Sequence, residues 1–225
     1  MEHPMISLKT IHRSAANEAS HYYADQKDDY YSRDGTAAQW QGKAAEALGL
    51  TGSIQQDEFL RALRGDFGSE VALSQSVRLD AKARAALDMT FSPPKSVSIQ
   101  ALVGKDPSVV AAHDAAVTKA LAFIEQELVR ARQTEKGVTT MERSGNAAIA
   151  KFRHETARPT DGAYSDPQLH THALVLNITQ RADGSWTAIS NDEIYRLVSL
   201  VQSVYSAELV AELERAGHAI RYEGK

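Results

Sequence analysis

An α+β fold, a sheet with helices packed on one side, follows from three features of the sequence. Several strand-length apolar or alternating runs occur. Two long segments carry apolar residues at helical spacing. The order of strands and helices shows no regular βαβ alternation. Taken along the chain, Ile6–Leu8 reads as a short strand, and residues 14–32, polar and rich in Ala and Tyr, as a helix. Ser53 with Gln56 three residues later forms a capping box ahead of Phe59, Leu60 and Leu63, and Gly65 ends that helix. Leu87–Phe91 is a strand stopped by Pro93-Pro94. A helix is predicted over 108–135, with Val117, Ala120, Leu121, Ile124 and Leu128 on one face. Residues 147–154 and 169–179 have strand patterns. A second long helix covers 191–216, with Val201, Tyr205, Leu209 and Leu213 at steps of four and Gly217 closing it.

Composition narrows the function classes. The 225 residues are 43% hydrophobic and 24% charged, ordinary values for a globular chain, and only six prolines occur. No Pro/Gly/Ser-rich linker and no repeat divides the chain, so one compact domain is expected. No run of about 18 apolar residues suggests a membrane span, and no charged-then-apolar leader is visible at the N-terminus. The absence of cysteine excludes a disulfide scaffold, a thiolate metal site and a cysteine nucleophile, and fits a reducing cytosol. The net charge of -4 argues against duplex binding by bulk positive charge, so any nucleic-acid contact must be local.

Three of the eight histidines are placed unusually. His170 and His172 sit in Leu169-His170-Thr171-His172-Ala173-Leu174, apolar enough for a buried strand. Residues two apart on a strand share a face, so both imidazoles point one way. The preceding strand candidate ends in His154, which reaches the other two if the strands are neighbours. Three neutral imidazoles suit Zn²⁺, Mn²⁺, Ni²⁺ or Co²⁺ and leave a coordination position open for Lewis-acid work on a phosphoryl or carbonyl oxygen. A His-x-His pair facing solvent or satisfied in a core is the competing reading.

Four of the eight tyrosines fall in two pairs, Tyr22-Tyr23 and Tyr30-Tyr31. On one helix the pairs would stand about 12 Å apart on roughly one side. Such aromatics can simply pack a helix on a sheet, yet Asp25, Lys27, Asp28 and Asp29 lie between them. A phenol with a pKa near 10 is a poor nucleophile unless a cation or base adjoins it. Asp88 lies in the apolar run Ala85-Ala86-Leu87-Asp88-Met89-Thr90-Phe91. A carboxylate there is costly unless paired. It can accept from a metal-ligating histidine, act as a base toward a tyrosine, or face water at a strand edge. The following Ser92-Pro93-Pro94-Lys95-Ser96 reads as a phosphate-facing helix N-terminus or as a plain turn.

Together these residues resemble the relaxase domain of MobF-type conjugative plasmid relaxases (TrwC/TraI-like), members of the HUH endonuclease superfamily. The match runs from Met5 to Arg221. It rests on the two tyrosine pairs, Trp40-Gln41-Gly42-Lys43 with Leu48-Gly49-Leu50, the Asp88–Ser98 segment, Phe152-Arg153-His154-Glu155-Thr156 and Asp166-Pro167-Gln168-Leu169-His170-Thr171-His172-Ala173.

The resemblance implies a central antiparallel sheet packed by helices, the HUH relaxase/Rep-like palm. It implies site- and strand-specific nicking of single-stranded and hairpin DNA at a transfer origin. The metal ligands would be His154, His170 and His172, holding Mg²⁺, Mn²⁺ or Zn²⁺. Tyr22 would be the first nucleophile, giving a 5′-phosphotyrosine and a free 3′ hydroxyl, and Tyr30 the second. Tyr23 and Tyr31 stand beside them, and Asp88 would orient a histidine or take the tyrosine proton.

Arg78, Lys95, Lys151 and Arg153 are candidate phosphate contacts on position. Implied partners are relaxosome accessory proteins, a coupling protein and a type IV secretion system, with the protein in the donor cytoplasm and passing into the recipient. Residues 1–4 read as an extension or alternative start, and 5–225 as a relaxase domain stopping before a DNA-closing segment and a helicase. The 16-residue step from His154 to His170 is longer than the family pattern, which places an extended loop at 158–165. A rolling-circle replication initiator shares the same chemistry, a non-catalytic DNA-binding module would keep only the fold, and a hydrolytic zinc enzyme would leave the tyrosine pairs unexplained.

Overall fold

A computed structural model describes residues 5–24, 38–135, 138–157 and 166–221. Tyr30, Tyr31, the 158–165 loop and the 25–32 part of the first predicted helix lie outside the described residues. The strands are β1 (Ile6–His12), β2 (Ala38–Gln41), β3 (Arg84–Phe91), β4 (Arg130–Glu135), β5 (Val138–Arg143), β6 (Ile149–Thr156), β7 (Pro167–Leu176), β8 (Thr179–Gln180), β9 (Trp186–Thr187) and β10 (Ile189–Ser190). The helices are α1 (Ala16–Ala24), α2 (Lys43–Ala47), α3 (Gln56–Arg64), α4 (Lys95–Leu102), α5 (Pro107–Phe123), α6 (Asp192–Arg196) and α7 (Val198–Arg215). None of them is long and apolar enough to cross a membrane.

Five strands form the central sheet in the order β1-β3-β7-β6-β2, every neighbouring pair antiparallel. Helices cover both faces of this sheet, not one. Leu87, Met89, Phe91, Ile149, Ala173 and Val175 pack with α5 and α7. Ala86, Ala150, Phe152, Leu174 and Leu176 pack with α1 and α3 through Ala19, Tyr23, Phe59 and Leu63. The physical reason is visible in β3 and β7, which are apolar on alternate and intervening positions alike, so each face needs a cover.

Other elements depart from expectation in instructive ways. The predicted 108–135 helix starts on an Asp106 cap, whose side chain accepts from Ser108 N at 3.0 Å, and stops at Phe123. One π-helical turn, Ile124–Leu128, follows, and the polar run Arg130–Glu135 then pairs as a strand with Val138–Arg143. Glu125 in that turn is buried, and its Oε1 accepts from Lys43 N (2.7 Å) and Ala147 N (2.9 Å). The expected Ser53–Gln56 capping box is absent. Gln55 is the N-cap of α3 without a side-chain bond, and Ser53 instead bridges Gln39 of β2. Gly65 does close α3, at φ +78°, where an L side chain would be strained. The 191–216 helix is broken at Leu197 into α6 and α7, although Val201, Tyr205, Leu209 and Leu213 line its buried face as expected.

Candidate metal centre and its tyrosines

Strand pairing alone assembles the three histidines. In the β6–β7 register His154 lies directly opposite His170, and His172 follows one pleat along on the same face. The ring centroids stand 5.1–5.3 Å apart. One nitrogen from each ring falls within 4.8 Å of the others, close enough for a single ion to be shared. Strand β3 completes the face from the other side, because Thr90 pairs with His172 and Asp88 with Leu174.

The hydrogen bonds around the rings fix their tautomers. His172 Nδ1 lies 3.0 Å from Asp88 Oδ2 and 3.1 Å from both Asp88 Oδ1 and Thr90 Oγ1. A carboxylate is the acceptor here, so Nδ1 donates and Nε2 is the nitrogen left for an ion. His170 Nδ1 lies 3.0 Å from the carbonyl oxygen of Gln168, which likewise only accepts, and its Nε2 bears the lone pair for the same reason. Two of the three rings thus spend Nδ1 on the protein and leave Nε2 for an ion. The donor set is all-imidazole with a carboxylate behind it, which fits a divalent cation.

The two adjacent tyrosines of α1 have different environments. Consecutive helical residues point about 100° apart. Tyr23 is 3% exposed, stacks against Phe152 and His172, and donates its hydroxyl to Asp88 Oδ2 at 2.7 Å. Tyr22 is 37% exposed, with its ring 5.9 Å from His172 and 6.1 Å from His154. Helix α1 is set against α3 through Ser20 Oγ to the Gln56 carbonyl (3.4 Å) and His21 Nδ1 to Gln56 Nε2 (3.1 Å). Asp88, 2% exposed, therefore accepts from two neighbours and faces no water.

The four basic candidates are not brought together. Lys95 Nζ donates to the Pro167 carbonyl at 2.8 Å, three residues before His170. Arg78 pairs with Asp80 beyond the other end of β3. Lys151 and Arg153 project from the opposite sheet face to the histidines. There Lys151 Nζ donates to Thr118 Oγ1 (3.0 Å) and Arg153 pairs with Asp114. They line a cleft of about 340 Å³ with Thr118 and Thr171, and desolvation there pulls the Lys151 ammonium below its ordinary pKa. Alternation along the strand carries the signal: odd positions of β6 and β7 face away from His154, His170 and His172. The Tyr23–Asp88 bond, Thr90 beside His172, and the Gln168 carbonyl were not singled out from sequence. Only the odd–even phase of β3 against β7 could have placed Thr90.

Residues 16–225 match the model of the TrwC relaxase family. The chain is 35% identical over 230 residues to the multifunctional conjugation protein TraI of Escherichia coli, covering 98% of this chain and 12% of that protein. It is 36% identical over 205 residues to the same protein of strain K12, covering 91% of this chain and 11% of that one. The chain thus spans about an eighth of the length of these relatives. Among solved structures it is similar to the conjugative relaxase TrwC in complex with oriT DNA in a metal-bound form. That match has a TM-score of 0.86 and 45% identity, over 97% of this chain and 72% of the other. A copper-bound form of the same complex matches at TM-score 0.86 and 46% identity, over 97% and 73%. TrwC with a 27-mer comprising the recognition hairpin and cleavage site matches at 0.83 and 42%, over 98% and 72%.

Proposed function

This chain belongs to the TrwC relaxase family, and from that premise we propose that it nicks one strand of a plasmid transfer origin and joins itself to the DNA. The carrying observation is Tyr22, partly exposed, 5.9 Å ring to ring from His172 and beside three imidazoles that one ion can share. His154, His170 and His172 would hold the divalent cation. When bound, the cation supplies Lewis-acid stabilisation to the scissile phosphate. Tyr22 Oη gives up its proton and attacks phosphorus, an O–P bond to Tyr22 forms, the P–O3′ bond breaks, and the departing 3′ oxygen takes up a proton to leave as a hydroxyl. The number of phosphoester bonds is unchanged, so resealing needs no ATP.

Asp88 keeps the proton of His172 on Nδ1, and Tyr23 in turn holds Asp88. Tyr23 is therefore assigned to positioning and not to attack. Tyr30, with Tyr31 beside it, is assigned the second transesterification on the sequence match. Lys95, tied near the start of β7, is the basic candidate retained for the DNA backbone. Residues 5–225 act as the relaxase unit of a longer protein, with accessory relaxosome proteins, a coupling protein and a secretion system as partners. It works in the donor cytoplasm and is carried into the recipient.

A denaturing gel tests the assignment. Wild type with single-stranded origin DNA and Mg²⁺ or Mn²⁺ gives a protein–DNA adduct. Tyr22→Phe gives none while still binding DNA, and Tyr30→Phe and Tyr23→Phe still form it. An undiminished adduct with Tyr22→Phe removes Tyr22 from the role.

A further inference from the structure

Behind the histidines, helix α5 grips the sheet with two consecutive residues. His113 Nε2 lies 2.8 Å from Thr171 Oγ1, and Asp114 takes the guanidinium of Arg153. Thr171 and Arg153 are cross-strand partners in the β6–β7 register. Each is the immediate neighbour of a ligand: Thr171 lies between His170 and His172, and Arg153 precedes His154. The other nitrogen of His113, Nδ1, lies 2.8 Å from Tyr205 Oη on α7. His113 is fully buried, and burial, with Arg153 and His170 nearby, pushes its pKa down to about 3. The ring is thus neutral at pH 7, with one donor and one acceptor, and both nitrogens are used. The chemistry assigned to the front of the sheet uses none of these groups.

We propose that the Tyr205–His113–Thr171 chain, with Asp114–Arg153 beside it, is the positioning element of the tri-histidine centre. It rests on His154, His170 and His172 holding an ion. Side chains at i-1 and i+1 of a strand share peptide planes with residue i, so a tilt of Thr171 tips His170 and His172 together. Ligation tolerates errors of only about 0.2 Å in ligand distance. The sheet sets which residues are opposite each other, and the clamp sets the pleat at that one position. His113 is a positioning residue acting through Thr171; it touches no reacting atom.

Co²⁺ is the probe, because its visible ligand-field bands report ligand geometry independently of cleavage. Wild type, Thr171→Val, Thr171→Ser and Tyr205→Phe are titrated with Co²⁺ at a temperature where circular dichroism shows each folded, and their metal-free unfolding temperatures are recorded. Wild type binds one Co²⁺. Thr171→Val binds it about 10-fold more weakly, at the low end of what loss of a ligand-supporting contact costs, with shifted bands. Thr171→Ser restores both, and Tyr205→Phe falls between. A Thr171→Val protein with a lowered unfolding temperature but wild-type affinity and bands reduces the chain to a core contact and overturns the proposal. Should Thr171→Val not fold, Tyr205→Phe decides by the same two readouts. If wild type binds no more Co²⁺ than His170→Ala, the metal centre itself is wrong and the clamp falls with it.

Discussion

Strand β7 presents two different surfaces on alternate residues. Its front, His170 and His172, lies beside the nine-residue α1, with Tyr23 buried against His172 and Tyr22 partly exposed next to it. Its back packs on the 17-residue α5 and the 18-residue α7, Ala173 and Val175 in the apolar core with Leu121, Val201 and Tyr205, the last three at most 1% exposed, and Thr171 at the edge of the cleft beside Arg153. One strand thus joins a solvent-reachable polar site to a close-packed apolar core. Rigid support on one side is what allows an open, precisely held site on the other.

The largest expected effect separates the two faces. His170→Ala should weaken divalent-cation binding by more than about 100-fold, beyond the usual cost of losing a supporting residue. The unfolding temperature of the metal-free protein should barely move. Leu121→Ala should do the reverse, destabilising by about 2–5 kcal/mol with cation affinity kept while the protein is folded. Calorimetric titration and thermal unfolding on both variants check this. If His170→Ala unfolds the protein, the front is structural and the contrast fails.

A smaller effect lies within the front. Tyr23→Phe removes one of the donors to buried Asp88 and should cost about 1–3 kcal/mol of stability. Cleavage should slow by less than about 10-fold, a penalty of no more than about 1.4 kcal/mol on the barrier. Single-turnover rates beside urea midpoints measure both. A Tyr23→Phe protein that forms no adduct would exchange the roles of the two tyrosines.

The smallest effect belongs to the back. The pKa of His113 falls from the ordinary 6.5 to about 3 on folding. Between those values the unfolded chain binds a proton that the native chain refuses, so stability drops as pH falls through this window. This one group contributes up to about 1.4 kcal/mol per pH unit. Urea midpoints of metal-free wild type at pH 7, 6 and 5 should therefore fall faster than those of His113→Gln. Parallel slopes would mean that His113 is not held neutral.

The front site was largely legible because its code is local. A two-residue histidine spacing on an apolar strand, and a carboxylate inside another, declare themselves by period and by cost. The pairing of His154 with His170 needed only neighbouring strands. Pattern and spacing do not separate Tyr22 from Tyr23, which only the family resemblance ranks, since their difference lies in which way α1 turns against Asp88, a tertiary fact. Charge alone does not reveal that Lys151 and Arg153 lie on the sheet face opposite the histidines; strand phase does. The overlong 108–135 helix failed for another reason: Arg130–Glu135 is a strand because Val138–Arg143 returns to pair along one edge and Ile189–Ser190 pairs with its first two residues on the other. Likewise Ser53 lost its capping role to a bridge with Gln39, a partner on another element.

The order β1-β3-β7-β6-β2 also has a consequence in time. The middle strand of the sheet is the last of the five to leave the ribosome, and β2, made early, has no neighbour in the sheet until β6 exists. A nascent chain ending before residue 166 can pair β1 with β3 and β2 with β6, but among the described residues no strand joins the two pairs. Closure over such separations is slow, and the unpaired edges are exposed while it waits. The histidine cluster is therefore born in one event, when Pro167–Leu176 slots between strands already made, so a partly synthesised chain lacks the cluster and with it the chemistry proposed for it.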